Sequence, residues 1–208
     1  MNASNRHKVL LLPACGFCLY VLLYLVAAYL YPGGSEVDRS SVGFSWMHNY
    51  WCDLLAQNAE NGLPNTARTI AITAMAVLCL SIALYSCFVP HLLDLPKWTK
   101  TVISASGILS MGVLAFLQVG NHDTVINASV ALGLLSMALT LWGMFHLRLW
   151  GFIIFGIICL LLALLNTYVY YSKSWIGALP VIQKISFLAF LLWFSLVSVK
   201  VYTHQRAR

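Results

Sequence analysis

Long apolar runs alternate with short polar connections along the chain, and each run has the length of a membrane crossing. A membrane-spanning helix needs about 20 mostly apolar residues, and six runs are close to this length. Proline or glycine lies at several of their ends, as at Gly33 after the first run and Pro180 at the start of the last. The predicted spans are residues 9–31, 66–89, 101–119, 125–145, 150–171 and 181–202. The pattern predicts an all-α fold in which residues 1–208 form one domain, a polytopic six-helix transmembrane bundle.

Composition agrees with a membrane protein and excludes a water-soluble globule. Hydrophobic residues make up 61% of the chain and charged residues 9%, whereas a soluble domain carries about 25% charged residues. The net charge is +6, but the basic residues stand singly between apolar runs and form no clustered face. We therefore expect membrane lipids as partners and no nucleic acid; the sequence names no protein partner.

The basic residues predict the orientation, because Lys and Arg collect on the cytoplasmic side of membrane proteins. With the N-terminus inside, twice as many basic residues fall on the cytoplasmic side as on the outer side. The cytoplasmic set is Arg6, Lys8, Lys97, Lys100, Arg148, Lys200, Arg206 and Arg208, and the outer set is Arg39, Arg68, Lys173 and Lys184. We therefore predict that both termini are cytoplasmic (N-in/C-in) and that residues 32–65 form an outer loop.

The first outer loop combines aromatic residues with groups that can do chemistry. If residues 46–57 form a short interfacial helix, His48 neighbours Cys52 and Asn49 neighbours Asp53 one turn apart. The segment can alternatively be a belt of Trp and Tyr that holds the loop at headgroup depth. Exposed in water it would form a large apolar patch, so we expect it to fold back over the bundle. The residues expected to be covered are Phe44, Trp46, Tyr50, Trp51, Leu54 and Leu55.

A second polar motif, Asn121-His122-Asp123-Thr124, lies in the short connection before the fourth span. One interpretation is structural: Asp123 or Thr124 caps the helix, since an acceptor at a helix N-terminus is favourable. The other is functional, with His48 and Asp53 of the first loop meeting His122 and Asp123 above the bundle.

The functional interpretation gives each polar residue near the outer ends of the spans a role. His48, Asp53, His122 and Asp123 are the candidate catalytic residues, acting as acid and base. The cofactor is open: His48, His122 and Asp53 are also residue types that hold zinc with a position left for water, although their spacing matches no strong metal motif. The candidate substrate-binding residues are Asn49, Arg68, Gln118, Asn121, Asn127, Asn166 and Lys184.

Cys15 and Cys18 form a Cys-x-x-Cys pair inside the first span, on the side away from the polar residues. No second pair accompanies them, so packing by small residues explains them better than redox or metal chemistry. We expect no structural disulfide, and the sequence assigns this pair no role beyond packing.

The first outer loop also carries a family resemblance, on residues 31–34 (Tyr-Pro-Gly-Gly), Asp38, residues 42–46 (Val-Gly-Phe-Ser-Trp), residues 48–49 (His-Asn) and residues 52–54 (Cys-Asp-Leu). With these residues the chain resembles the prokaryotic six-span family known as domain of unknown function 998. That family is distantly similar to the Frag1/DRAM/Sfk1 membrane proteins, some of which take part in lipid-anchor remodelling. The resemblance implies a six-span fold in the prokaryotic cytoplasmic (inner) membrane, and it implies no particular activity.

Three functions remain open from the sequence. The first is a lipid-handling protein or enzyme, with hydrolase or remodelling activity, whose His/Asp/Asn site opens to the outer leaflet and whose Arg68 and Lys184 attract an anionic phosphate. The second is a non-catalytic scaffold or sensor in which the same polar residues form a structural plug. The third is a small-molecule transporter, for which inverted repeats and polar residues at the midplane are expected, whereas here the polar residues lie at one end of the spans.

Overall fold

The all-α prediction is confirmed: the part of the chain that the structure describes contains six α-helices and no β-strand. The structure is a computed structural model that describes residues 8–118 and 121–206, without the side chains of Leu117, Gln118, His122 and Gln205. The helices are α1 (Leu12–Leu30), α2 (Arg68–Phe88), α3 (Lys97–Leu114), α4 (His122–His146), α5 (Trp150–Ser172) and α6 (Leu179–Arg206). Short 3-10 helices cover Val9–Leu11, Trp51–Leu55, Val89–His91, Ala115–Gln118 and Ile176–Ala178.

Among the described helices, five are long and apolar enough to cross a membrane, namely α1, α2, α4, α5 and α6. The chain is therefore an integral membrane protein. The helix α3 falls outside this group because it begins with Lys97 and Lys100 and carries several serines. It starts before the predicted span 101–119 and ends at Leu114, and Val119 lies outside the described residues.

Proline and glycine set several helix ends, as the sequence predicts. Pro96 is the N-cap of α3 and Pro180 lies in the first turn of α6, where a missing N–H costs no hydrogen bond. Gly33 and Gly34 follow α1 with φ values of 137° and 83°, which L side chains rarely adopt. The chain therefore leaves α1 abruptly and enters the loop that leads to α2.

Contacts divide the chain into two compact units. One, the α3–α4 unit, comprises Met1–Cys18, Ala76–Gly156 and Leu192–Arg208. The other, the cap unit, comprises Leu19–Met75 and Ile157–Leu191 and contains the whole loop between α1 and α2.

Serine side chains hold α3 and α4 close together. Ser110 Oγ donates to the carbonyl of Ser129 over 2.7 Å, and Ser129 Oγ donates back to the carbonyl of Ser110 over 2.9 Å. Ser136 Oγ donates to the carbonyl of Ile103 over 2.9 Å. Small residues allow such close backbone approach between membrane helices, so Ser110, one of the serines that make α3 less apolar, is used in packing against α4.

In the cap unit, the loop between α1 and α2 has an ordered fold with little helix. Single bridges pair Gly33 with Val42 and Asn58 with Pro64. The interfacial helix predicted over residues 46–57 is shorter than expected, since a 3-10 helix covers Trp51–Leu55 alone. The side chain of Asp53 occupies the backbone N–H of Tyr50, which a longer helix would need.

Candidate functional site

Trp51 anchors the loop within the cap unit. Its indole Nε1 donates to Tyr20 Oη over 2.8 Å, and its backbone N–H donates to Gln183 Oε1 over 3.0 Å. Its ring lies 4.7 Å from the ring of Tyr24. The expectation that the loop covers its apolar side chains is confirmed for Trp51, Leu54 and Leu55, which are buried. Phe44 and Tyr50 are partly buried, whereas Trp46 remains 47% exposed.

Asn49 is the most enclosed polar residue of the loop, with a side chain that is 0% exposed. Its Oδ1 accepts from the backbone N–H of Ser45 over 2.8 Å. Its Nδ2 donates to the carbonyl of Gly34 over 2.8 Å and to Asp53 Oδ2 over 2.9 Å. The predicted pairing of Asn49 with Asp53 is therefore confirmed, although no regular helix brings the two together, and the amide serves the loop itself.

Asp53 is partly buried, and its carboxylate is held from two directions. Its Oδ2 accepts from Asn49 Nδ2 and, over 2.8 Å, from the backbone N–H of Tyr50. Burial raises the pKa of Asp53 above its usual value, although these two hydrogen bonds act in the opposite direction. The nearby carboxylates of Glu60 and Glu36 raise the pKa of Asp53 further. Asp53 is therefore the acid of this loop whose charge the surroundings disfavour.

Lys184 of α6 reaches into the same loop, and its side chain is only 7% exposed. The ammonium donates to the backbone carbonyls of Asn49, over 2.5 Å, and Pro180, over 3.0 Å. The rings of Phe44 and Trp51 lie 5.4 Å and 5.8 Å from Nζ, within the range of a cation–π interaction. This cation thus has partners inside the protein.

The beginning of α2 is tied to the same loop by Asn65 and Arg68. Asn65 Nδ2 contacts the carbonyls of Asp53, Leu54 and Ala56 at 3.1 Å, 3.1 Å and 2.9 Å. Arg68 Nε donates to the carbonyl of Leu55 over 3.2 Å. The structure therefore gives Arg68 a backbone partner in the loop.

His48 is exposed and does not hydrogen-bond to Asp53. Its Nδ1 lies 3.2 Å from Ser45 Oγ. Cys52, the other group expected beside His48, is partly buried, and this burial raises the pKa of its thiol to about 12. The thiol is therefore protonated at neutral pH and is a weak nucleophile.

Asn166 joins two helices of the cap unit. Its Nδ2 donates to the carbonyl of Leu162 over 3.1 Å and to Ser186 Oγ over 2.5 Å. This predicted binding residue thus links α5 to α6.

The remaining candidates belong to the α3–α4 unit. Asn121 is the N-cap of α4: its Oδ1 accepts from the backbone N–H of Thr124 over 3.1 Å and from the Thr124 hydroxyl over 3.2 Å. The expectation that Asp123 or Thr124 caps this helix is wrong, because both lie inside its first turn and Asn121 precedes it. Asp123 and Asn127 are exposed. The side chains of Gln118 and His122 lie outside the described residues.

The predicted convergence of the two loops stays a prediction, because its members fall in different units: His48 and Asp53 in the cap unit, Asp123 in the α3–α4 unit. Within residues 8–118 and 121–206, no three His, Cys, Asp or Glu side chains form a group that could hold a metal ion. A zinc site that uses His122 stays a prediction, because the side chain of His122 lies outside the described residues. All six cysteines are unpaired, Cys15 and Cys18 being exposed.

Comparison with known proteins gives no relative from which to assign a role. No protein-family model, no curated protein and no solved structure matches the chain. The resemblance to domain of unknown function 998 therefore stays a prediction based on the loop residues.

Sequence reasoning missed Asn65, Gln183, Tyr20 and Ser45, which join the network through the contacts above. Asn65 carried one usable signal, since an asparagine just before an apolar run is a common helix cap. Its Oδ1 does accept from the backbone N–H of Ala67, over 3.0 Å. Gln183 and Tyr20 carried no local signal, because their partner Trp51 lies far away in the sequence. Ser45 carried none because it binds the Asn49 side chain through its backbone N–H, which every residue except proline has.

Proposed function

We propose that the protein is a non-catalytic integral membrane protein, a scaffold or sensor, whose polar cluster is the structural core of a cap formed by the loop between α1 and α2. The observation that carries this proposal is the burial of Asn49, which spends its amide on Ser45, Gly34 and Asp53. A binding or catalytic group must face its ligand. Asn49 faces the protein's own loop.

The burial of Lys184 supports the same proposal. Its ammonium donates to two backbone carbonyls and is only 7% exposed. An anionic headgroup at this ammonium would compete with the Asn49 carbonyl, and a buried carbonyl left without a donor costs about 1 to 3 kcal/mol. Lys184 therefore serves better as a support of the cap than as a phosphate ligand.

The proposed topology has six crossings with both termini in the cytoplasm. In it α3 crosses the membrane in addition to the five more apolar helices. The serine contacts between α3 and α4 support this, because they satisfy polar side chains that would be costly beside lipid. The basic residues support N-in/C-in, and we place the protein in a prokaryotic cytoplasmic membrane.

A Ser40→Cys variant, with the wild type as control for native cysteines, should react with a membrane-impermeant maleimide from outside. Reaction from the cytoplasmic side alone would overturn this topology.

Two variants separate the scaffold from a ligand site. Asn49→Ala removes three hydrogen bonds from the loop and should lower the unfolding temperature in detergent. Asp53→Asn keeps an oxygen that can accept from Asn49 and Tyr50, so the fold should survive. If the cap is a scaffold, the lipids that co-purify with Asp53→Asn match those of the wild type. His48→Ala, at an exposed position, is the matched control for loss of a polar side chain.

A lipid headgroup site with hydrolase or remodelling activity is the second candidate, and the raised pKa of Asp53 favours it. Active sites often contain acids whose charge is disfavoured by burial. An Asp53→Asn protein that keeps its unfolding temperature but loses a specific co-purifying lipid would replace the scaffold proposal with this one.

A further inference from the structure

A cavity of about 420 Å³ lies at the connection between α4 and α5, within the α3–α4 unit. It is lined by Phe145, His146, Arg148 and Trp150, all of them exposed. Since α4 and α5 are both candidate membrane spans, their connection lies where two spans end. The cavity is therefore at the depth of lipid headgroups.

Aromatic rings form the walls of this cavity. The rings of Phe145 and Trp150 meet edge to face with centroids 5.3 Å apart. The ring of His146 lies edge to face against Trp142 at 5.0 Å. Trp and other amphipathic rings favour the boundary between headgroups and acyl chains, so these walls suit the glycerol region of a lipid.

The polar groups of the cavity suit an anion that also carries hydroxyls. Arg148 is held at a positive φ of 53° in the tight turn between the helices, and its guanidinium offers paired donors that match a phosphate. His146 Nδ1 lies 2.9 Å from the carbonyl of Trp142, so it must donate there, which leaves Nε2 as the second polar atom of the ring. None of the four lining residues is acidic.

We propose that this cavity binds the headgroup of an acidic phospholipid. The phosphate lies on Arg148, a headgroup hydroxyl donates to His146 Nε2, and the glycerol backbone and acyl chains follow the rings of Phe145 and Trp150. Charge complementarity and the position at the end of two spans select a lipid over a soluble anion. The proposal is independent of the cap unit and of the function proposed for it.

Native mass spectrometry of the full chain in detergent can test the site, with dioleoylphosphatidylglycerol, dioleoylphosphatidylcholine and sn-glycerol 3-phosphate as probes. The wild type should bind the first phosphatidylglycerol in preference to phosphatidylcholine. Arg148→Gln should reduce that preference about tenfold, the size of one charge-assisted hydrogen bond to phosphate. Arg148→Lys should keep part of it. Lys97→Gln, which removes an exposed basic residue outside the cavity lining, should leave it unchanged.

Three outcomes would overturn the proposal: equal binding of the two lipids by the wild type, an unchanged preference in Arg148→Gln, or an equal loss in Lys97→Gln. Displacement of phosphatidylglycerol by equimolar glycerol 3-phosphate would also overturn it, because the ligand would then be a soluble anion. If Arg148→Gln does not fold, Trp150→Leu decides. This variant changes no charge and should weaken phosphatidylglycerol binding by removing a wall of the cavity, and unchanged binding would contradict the proposal.

Discussion

Lys184 donates a hydrogen bond from its ammonium to the backbone carbonyl of Asn49, a residue 135 positions earlier in the chain. The same Asn49 uses its side chain to hold Ser45, Gly34 and Asp53. One loop residue is therefore fixed through its backbone by a helix of the cap unit and through its side chain by the loop. This arrangement makes Lys184 and Asn49 joint supports of the loop fold.

Replacing Lys184 with methionine should destabilise the protein. Methionine keeps the unbranched stem but has no donor, so the Asn49 carbonyl loses a charged partner. We expect a loss of about 1 to 3 kcal/mol in unfolding free energy, measured as a lower unfolding temperature in detergent. Lys173→Met is the control, because Lys173 is exposed and lies over the Tyr170 ring at 4.4 Å. Equal effects of the two variants would contradict a supporting role for Lys184.

Helix positions were predictable from the sequence because long apolar runs carry the signal themselves. The predicted span 150–171 differs little from α5 (Trp150–Ser172), and the span 66–89 differs little from α2 (Arg68–Phe88). The helix over residues 46–57 was not predictable in this way. Asp53 captures the backbone N–H of Tyr50, which in that helix would donate to the carbonyl of Trp46. Asn and Asp side chains that bind nearby backbone groups compete with helix formation.

The candidate site was predictable as a set of polar residues but not as a set of contacts. Periodicity correctly pairs Asn49 with Asp53, since both lie in one short segment. It cannot show that Lys184 points to a loop carbonyl, or that Arg68 donates to the carbonyl of Leu55. These partners are backbone atoms that every residue carries, so no residue type in the sequence marks them.

Asn65→Ala should loosen the loop at its junction with α2. The variant removes the contacts from Nδ2 to three carbonyls and the cap at Ala67. Losing a cap alone costs about 1 kcal/mol, and the stranded carbonyls add to this. Limited proteolysis should cleave the loop faster than in the wild type. Asn61→Ala is the matched control, because its Oδ1 accepts one bond at an exposed turn; cleavage of both variants at the same rate would argue against this role of Asn65.

Stability should depend on pH through Asp53. Burial raises the pKa of Asp53 in the folded protein above the ordinary value of 3.8, so the folded state binds this proton more tightly than the unfolded state. The contribution of Asp53 to stability is then fully present below pH 3.8 and is lost as the pH rises through its raised folded-state pKa. Asp53→Asn has no such proton. The variant should gain stability relative to the wild type as the pH rises through this window, measured by thermal unfolding at a series of pH values; parallel curves would show that the pKa is not raised.

Gly34→Ala should disrupt the loop more than the same change at Gly62. Both glycines have positive φ values, 83° and 84°, so alanine at either position costs about 1 to 2 kcal/mol of backbone strain. The surroundings differ. A Cβ on Gly34 would collide with the backbone of Glu60 and Asn61, which cannot move as a flexible side chain does, whereas a Cβ on Gly62 meets no atom within 4 Å. The extra loss in Gly34→Ala therefore measures the close approach of the two loop segments, and unfolding of both variants in detergent compares it directly. A Gly34→Ala protein no less stable than Gly62→Ala would mean that these segments do not pack as described.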